Sequence, residues 1–275
     1  MWYLLAISLV ILQFNKKLSV ALLVVTAIIG GYTQILDWRA IAFLAVLAFI
    51  AGIYYKFSDK TLRTILEILL LLTSVGLMLH LIPGFHNIRV LDGVRIGPES
   101  APFTMYYNFD KALVPFVLLI CMKSLFTTGT RPHTKPSSWL MLAVAVPVLL
   151  MVAVVTGGLK IELHRPEWLF QFLLANIFFV SLAEEALFRG YLQQRLSSVM
   201  HPMLALIIAS VLFGGLHYPG GSLMVIFATL AGLIYGLAWM LSGRLWVAVM
   251  FHAGLNLCHL LFFTFPVLQR LPYTS

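Results

Sequence analysis

Charge is what this chain has least of. Lysine, arginine, aspartate and glutamate make up 10% of its 275 residues, and only ten of those residues are acidic. A water-soluble domain carries nearer ~25%, so a soluble globular protein is excluded. Cysteine is almost absent too. Cys121 and Cys258 both sit in apolar runs, which leaves no disulfide framework and no cysteine-based zinc site to read. The net charge of +8 is spread over short connectors, without the clustered basic and aromatic face that nucleic-acid binding needs. The first residues, Met-Trp-Tyr-Leu-Leu-Ala-Ile, lack a basic n-region and lead to no clear small-x-small cleavage site. They are expected to be a retained segment, with no cleaved signal peptide. Internal repeats and low-complexity tracts are missing as well.

What fills the chain is hydrocarbon. It is 61% hydrophobic with a mean hydropathy of +0.98, and its apolar runs approach the ~20 residues a helix needs to cross a bilayer. Candidate spans fall at 1–14, 18–36, 40–55, 62–83, 112–128, 138–158, 168–198, 202–217, 223–241 and 245–265. The expected fold is all-α, a polytopic transmembrane bundle of about eight to ten spans, the first being short for a full crossing. Breaks are expected at 15–17, 37–39 and 56–60. The connector 84–111, with turn signals at Pro83-Gly84, Asp92-Gly93 and Gly97-Pro98, reads as an exposed loop. A second polar connector runs from Thr127 to Pro136. With Arg189 set aside, ten lysines and arginines fall on one side, Lys16, Lys17 and Arg131 among them, against seven on the other, Arg39, Lys111 and Arg270 among them. That asymmetry leans towards a cytoplasmic 14–17 connector.

Against this background, Glu184-Glu185 stands at the end of an apolar run beginning near Trp168. Desolvating a charge costs several kcal/mol even after the surroundings relax, so something must offset two adjacent carboxylates. Residues four apart share a helix face, so Glu185 and Arg189 can pair, acid before base. Glu184 points about 100° away and has no partner in its own helix, which suits it to exchange a proton as a general base does. On a soluble surface such an acid–base pair would be only a helix-stabilising salt bridge. Within a span, charge is usually functional.

The next run starts at Pro202, a good first helical residue, which places the turn near Met200. Glu184 lies sixteen residues before Met200 and His217 seventeen after it, so both lie about 24–26 Å from the turn at 1.5 Å per residue. Gly214 and Gly215 would let backbones approach closely there. In the last run, His252 and Asn256 share a face, although counting from Arg244 leaves His252 some 10 Å shallower than His217. Asn256 alone reads equally well as an interhelical hydrogen-bond donor.

Other titratable groups carry weaker signals. Glu67 and His80, within the fourth span, read as packing or polar contacts. His133, His164 and His201 read as solvated connector histidines, and His259 as a supporting group behind His252. Ser181 and Ser210 lack the Asp–His support a serine nucleophile needs.

Glu184-Glu185-x-x-x-Arg189, Phe213-x-x-x-His217 and His252-x-x-x-Asn256, in this order within apolar runs, resemble the CPBP family. These are intramembrane proteases related to the CAAX prenyl endopeptidases and to bacterial bacteriocin-processing and immunity proteins. The resemblance covers about residues 136–265, expected to form the protease core. Residues 1–135 carry no motif of that family and are expected to form N-terminal transmembrane segments of open role. It implies an endopeptidase acting on a membrane-associated, lipidated or secreted peptide. Glu184 would activate water, His217 would help orient it, Glu185 with Arg189 would shape the site, and His252 and Asn256 would stabilise the oxyanion. No cofactor is expected. The rival mechanism is a zinc ion held by Glu184, His217 and His252, since two histidines and a carboxylate are common ligands of hydrolytic zinc. The non-enzyme alternative is a membrane immunity, interaction or transport protein that keeps the polar cluster as structural glue. The expected partners are a peptide or protein substrate and the lipid bilayer, with no nucleic acid and the oligomeric state open. The expected location is the bacterial inner membrane.

Overall fold

The computed structural model describes residues 1–129 and 134–269; Arg131, His133 and Arg270 lie outside the described residues. Among the described residues, ten helices of eight residues or more follow one another: α1 Trp2–Ile11, α2 Lys16–Tyr32, α3 Trp38–Lys56, α4 Lys60–Met78, α5 Val114–Cys121, α6 Pro136–Val155, α7 Leu169–Ser197, α8 Pro202–Gly215, α9 Ser222–Ser242 and α10 Leu245–Phe262. Local chemistry sets their ends. Asn15, Asp37 and Asp59 each accept a hydrogen bond from a backbone N–H of the first turn of α2, α3 and α4, which satisfies donors a helix start leaves open. Pro136 and Pro202 open α6 and α8. Gly243, at φ +64°, closes α9 in the left-handed conformation that glycine adopts without strain.

Six of these helices, α3, α4, α6, α7, α9 and α10, are long and apolar enough to cross a membrane. The protein is a multi-pass helical bundle, as its hydropathy requires. The count is lower than the sequence suggests because α1, α2 and α8 span only 10, 17 and 14 residues. The run at 112–128 holds no helix long enough to cross a membrane. Its helical part, α5, has eight residues, and Val114, Val117 and Leu118 are 0–2% exposed. Protein covers those three side chains, and hydropathy cannot tell a protein interior from a bilayer.

The 84–111 connector also departs from expectation. Ile88–Val94 (β1) and Phe103–Tyr107 (β2) pair antiparallel, and Met105, Tyr107 and Phe109 are buried. The alternation of Met105 and Tyr107 with exposed Thr104 and Tyr106 is the period of a strand with one covered face. A one-turn helix, Phe109–Ala112, then leads into α5. His80 lies beyond the end of α4, at φ +56°, with Nδ1 2.6 Å from Asp110 Oδ2. Asn87 donates to the other oxygen of that carboxylate at 3.0 Å.

His164 is not a solvated histidine. It is 6% exposed, its Nδ1 donates to the Leu260 carbonyl at 2.7 Å, and its Nε2 meets Glu162 Oε2 at 3.0 Å. Glu162 also accepts from Ser100 Oγ at 2.6 Å and from the Glu99 N–H at 3.1 Å. Burial pushes the Glu162 carboxyl up, but these hydrogen bonds outweigh it and hold the group below its ordinary range. The cluster ties residues 99–100 to the connector before α7 and, through His164, to the end of α10. His201, by contrast, is exposed, and its Nδ1 caps α8 by accepting from the Met203 N–H at 3.3 Å.

Candidate active site

The site is built on α7, whose winding is unusual. Ala175–Ser181 and Ala186–Gln193 run as π-helix on either side of the single α-turn Leu182–Glu185. π-helical segments are rare and collect at functional sites. Here they flank the two glutamates.

Glu185 and Arg189 are both fully buried, and Arg189 Nη1 donates to Glu185 Oε1 at 2.9 Å. The helix-face pairing read from their spacing is present. Arg189 Nη2 donates to the Gly232 carbonyl at 2.8 Å. A Cβ on Gly232 would stand 3.0 Å from that same Nη2 and 3.2 Å from Ser210 Cα, so glycine is what allows the approach. The guanidinium lies over the rings of Phe213 and Tyr235, 4.7 and 5.4 Å from their centroids, where the ring quadrupoles favour a cation.

His252 joins this pair to the second glutamate. Its Nδ1 is 2.9 Å from Glu185 Oε1 and its Nε2 is 4.0 Å from Glu184 Oε2. A carboxylate held by arginine can only accept, so the Nδ1 proton belongs to that bond. The imidazole stacks on Tyr235, with centroids 4.6 Å apart and planes 11° apart, and meets Phe213 edge-on at 5.8 Å. Glu184 is partly exposed, and its Oε1 lies 4.0 Å from Lys111 Nζ.

His217 stands just past the end of α8, with its Nδ1 donating to the Phe213 carbonyl at 2.9 Å. Phe213 packs against the rings of both His217 and His252, so the depth offset expected between the two histidines does not separate them. Both line one cavity of about 680 Å³, together with Asn256, Tyr235 and His259. The side chain of Asn256 makes no hydrogen bond among the described residues, which leaves its amide free towards the cavity. No hydrogen bond or ion pair joins Glu184 to His217; the charged neighbours of Glu184 across the site are Lys111 and His252. Of the two glycines on α8, a Cβ at Gly214 would overlap Thr229 Oγ1, whereas Gly215 faces open space. Only Gly214 serves close packing of α8 on α9.

Among the described residues, no three His, Cys, Asp or Glu side chains converge as metal ligands. Glu184, His217 and His252 therefore do not form a ready-made zinc site in this arrangement. Two site neighbours escaped the sequence reading. Lys111 counted there only as a topology charge, and its signal was its position beside Asp110 at the mouth of an apolar run. Tyr235 lies between Gly232 and Gly236 on α9, and that glycine spacing was its only hint.

The multi-pass helical bundle thus gathers a glutamate pair, an arginine, two histidines and an asparagine around one polar centre. Residues 166–258, about a third of the chain and the stretch that holds all six of those side chains, match the family described as type II CAAX prenyl endopeptidase Rce1-like, which supports the resemblance to the CPBP family. At family level the match supports a CAAX-type intramembrane protease. No curated protein and no solved structure matches the chain.

Proposed function

We propose that the protein is an intramembrane endopeptidase that cleaves a membrane-associated, lipidated or secreted peptide with a water activated by Glu184. The observation that carries this reading is His252, which is hydrogen-bonded to Glu185 and faces Glu184 while lining the cavity with His217 and Asn256. Water oxygen attacks the scissile carbonyl carbon as Glu184 takes its proton. The oxyanion then meets the Asn256 amide and His252 Nε2–H, and Glu184 returns the proton to the departing amine. Glu185 stabilises the His252 imidazolium this requires, as a buried carboxylate does for a catalytic histidine. His217 has committed its Nδ1 proton to Phe213, so in the neutral ring Nε2 accepts a hydrogen bond and can orient the water. Lys111 Nζ brings a positive charge from the N-terminal half to within 4.0 Å of Glu184 Oε1.

The zinc reading has one observation in its favour. Both histidines commit Nδ1 and leave Nε2 available, as zinc-ligating histidines do. The metal-independent reading expects cleavage to survive chelation, and loss of activity restored by added zinc would reverse the choice. The base itself is tested by comparing new peptide termini in membranes carrying the wild type or Glu184→Gln. Termini should appear only with the wild type. Equal cleavage by both would remove Glu184 from the role, and substrate trapped on Glu184→Gln would name the peptide.

A further inference from the structure

Away from this site, α2, α3 and α5 line a second cavity of about 1100 Å³, slightly larger than the ~300–1,000 Å³ of ordinary ligand pockets. Its walls are Val, Leu, Ile, Ala and Phe, with polar residues confined to Lys16, Lys17, Tyr55 and Lys123. All four sit at one end. Lys16 and Lys17 begin α2, Tyr55 is one residue from the end of the antiparallel α3, and Lys123 lies two residues past α5. No acidic side chain lines the cavity, and none of the three lysines has an ion-pair partner among the described residues. The first turn of α2 holds two lysines and no acid, the reverse of what the positive end of a helix dipole favours. An anion would relieve that. One wall of the cavity is α3, the least buried of the six long helices, at 11%.

We propose that this cavity binds one anionic membrane lipid, its acyl chains along α2, α3 and α5 and its phosphate at Lys16, Lys17 and Lys123. A transmembrane helix of a partner or of a second copy fits less well, because an apolar helix would cover three unpaired lysines and leave them uncompensated. A neutral lipid would fill the length of the cavity but not answer its charged end.

The full chain, purified in detergent and stripped of lipid, is titrated with phosphatidylglycerol and with phosphatidylcholine of identical chains, and binding is read by native mass spectrometry. Phosphatidylglycerol should bind more tightly, by roughly fivefold for each lysine and so on the order of a hundredfold for three. The triple variant Lys16→Gln/Lys17→Gln/Lys123→Gln should lose that preference. Ala48→Trp, which plugs the wall and keeps the lysines, should weaken phosphatidylglycerol binding. Equal affinity for the two lipids, a preference kept by the triple variant, or binding unaffected by Ala48→Trp would each overturn the proposal. So would displacement of phosphatidylglycerol by millimolar inorganic phosphate, which would make the lysines a free-phosphate site, or a mass of two chains whose contact survives the triple variant.

Discussion

Removing the charge from one or the other of the paired glutamates should break the protein in two different ways. Glu185 is fully buried and its Oε1 accepts from Arg189 and His252, both at 2.9 Å. Glu185→Gln keeps the shape but leaves the Arg189 guanidinium buried without its counter-charge, a loss on the order of 3 kcal/mol. At roughly 2–4 °C per kcal/mol for a chain of this size, the melting temperature in detergent should fall by about 6–12 °C. Glu184 is partly exposed and its charged neighbours stand at 4.0 Å, so Glu184→Gln should change stability by no more than ~1 kcal/mol. Its cost should appear in cleavage, down by a hundredfold or more once the general base is gone. Circular dichroism melts and cleavage rates on the same preparations separate the two. If Glu185→Gln melted with the wild type, the buried ion pair would not be holding α7 in place. A Glu184→Gln variant that unfolded early would make that carboxylate structural and return the non-proteolytic reading.

Three further outcomes follow from the same contacts. Lys111→Met should lower kcat/KM by roughly tenfold, equivalent to ~1.4 kcal/mol in the barrier, and Lys111→Arg should recover most of it; unchanged kinetics in Lys111→Met would detach the N-terminal half from the chemistry. Glu162 is held below its ordinary value of 4.5 by its hydrogen bonds, so its contribution to anchoring residues 99–100 is present above pH 4.5 and fades as pH falls below it. Hydrogen exchange of that segment should accelerate in acid in the wild type and lose this pH dependence in Glu162→Gln. In a Cys121→Ala/Cys258→Ala background, a membrane-impermeant maleimide should label Ser222→Cys, at the cavity mouth, and Ser58→Cys, between α3 and α4, from opposite sides; labelling from one side would contradict the threading of the bundle.

The parts of this molecule that could be read from sequence are those set by neighbours along the chain. Spacing of four brings Arg189 to Glu185, and Asn15, Asp37 and Asp59 mark helix starts because a cap reaches only two or three residues. The hairpin was equally local, but the turn residues between Gly84 and Pro98 obscured the alternation through Met105 and Tyr107. What could not be read depends on distant partners. His164 is buried by the Leu260 carbonyl 96 residues away, and Lys111 reaches Glu184 from outside the motif-bearing segment. The run that became α5 was misassigned for a different reason: hydrocarbon inside a protein and hydrocarbon inside a bilayer make the same demand on composition.

The glutamate pair also asks for a finer division than one structural acid and one working base. Arg189 is tolerated in the interior because Glu185, the Gly232 carbonyl and the faces of Phe213 and Tyr235 surround it. Paired with that arginine, Glu185 also fixes the Nδ1 proton of His252, and Tyr235 fixes the plane of the ring. His252 Nε2 is thereby aimed at Glu184 and the cavity by a chain of contacts that begins at Arg189. The carboxylate that does no proton transfer still sets the protonation and direction of the group that does face the substrate. Glu185→Gln should therefore depress cleavage even at temperatures where the variant remains folded, and by more than its loss of stability alone explains.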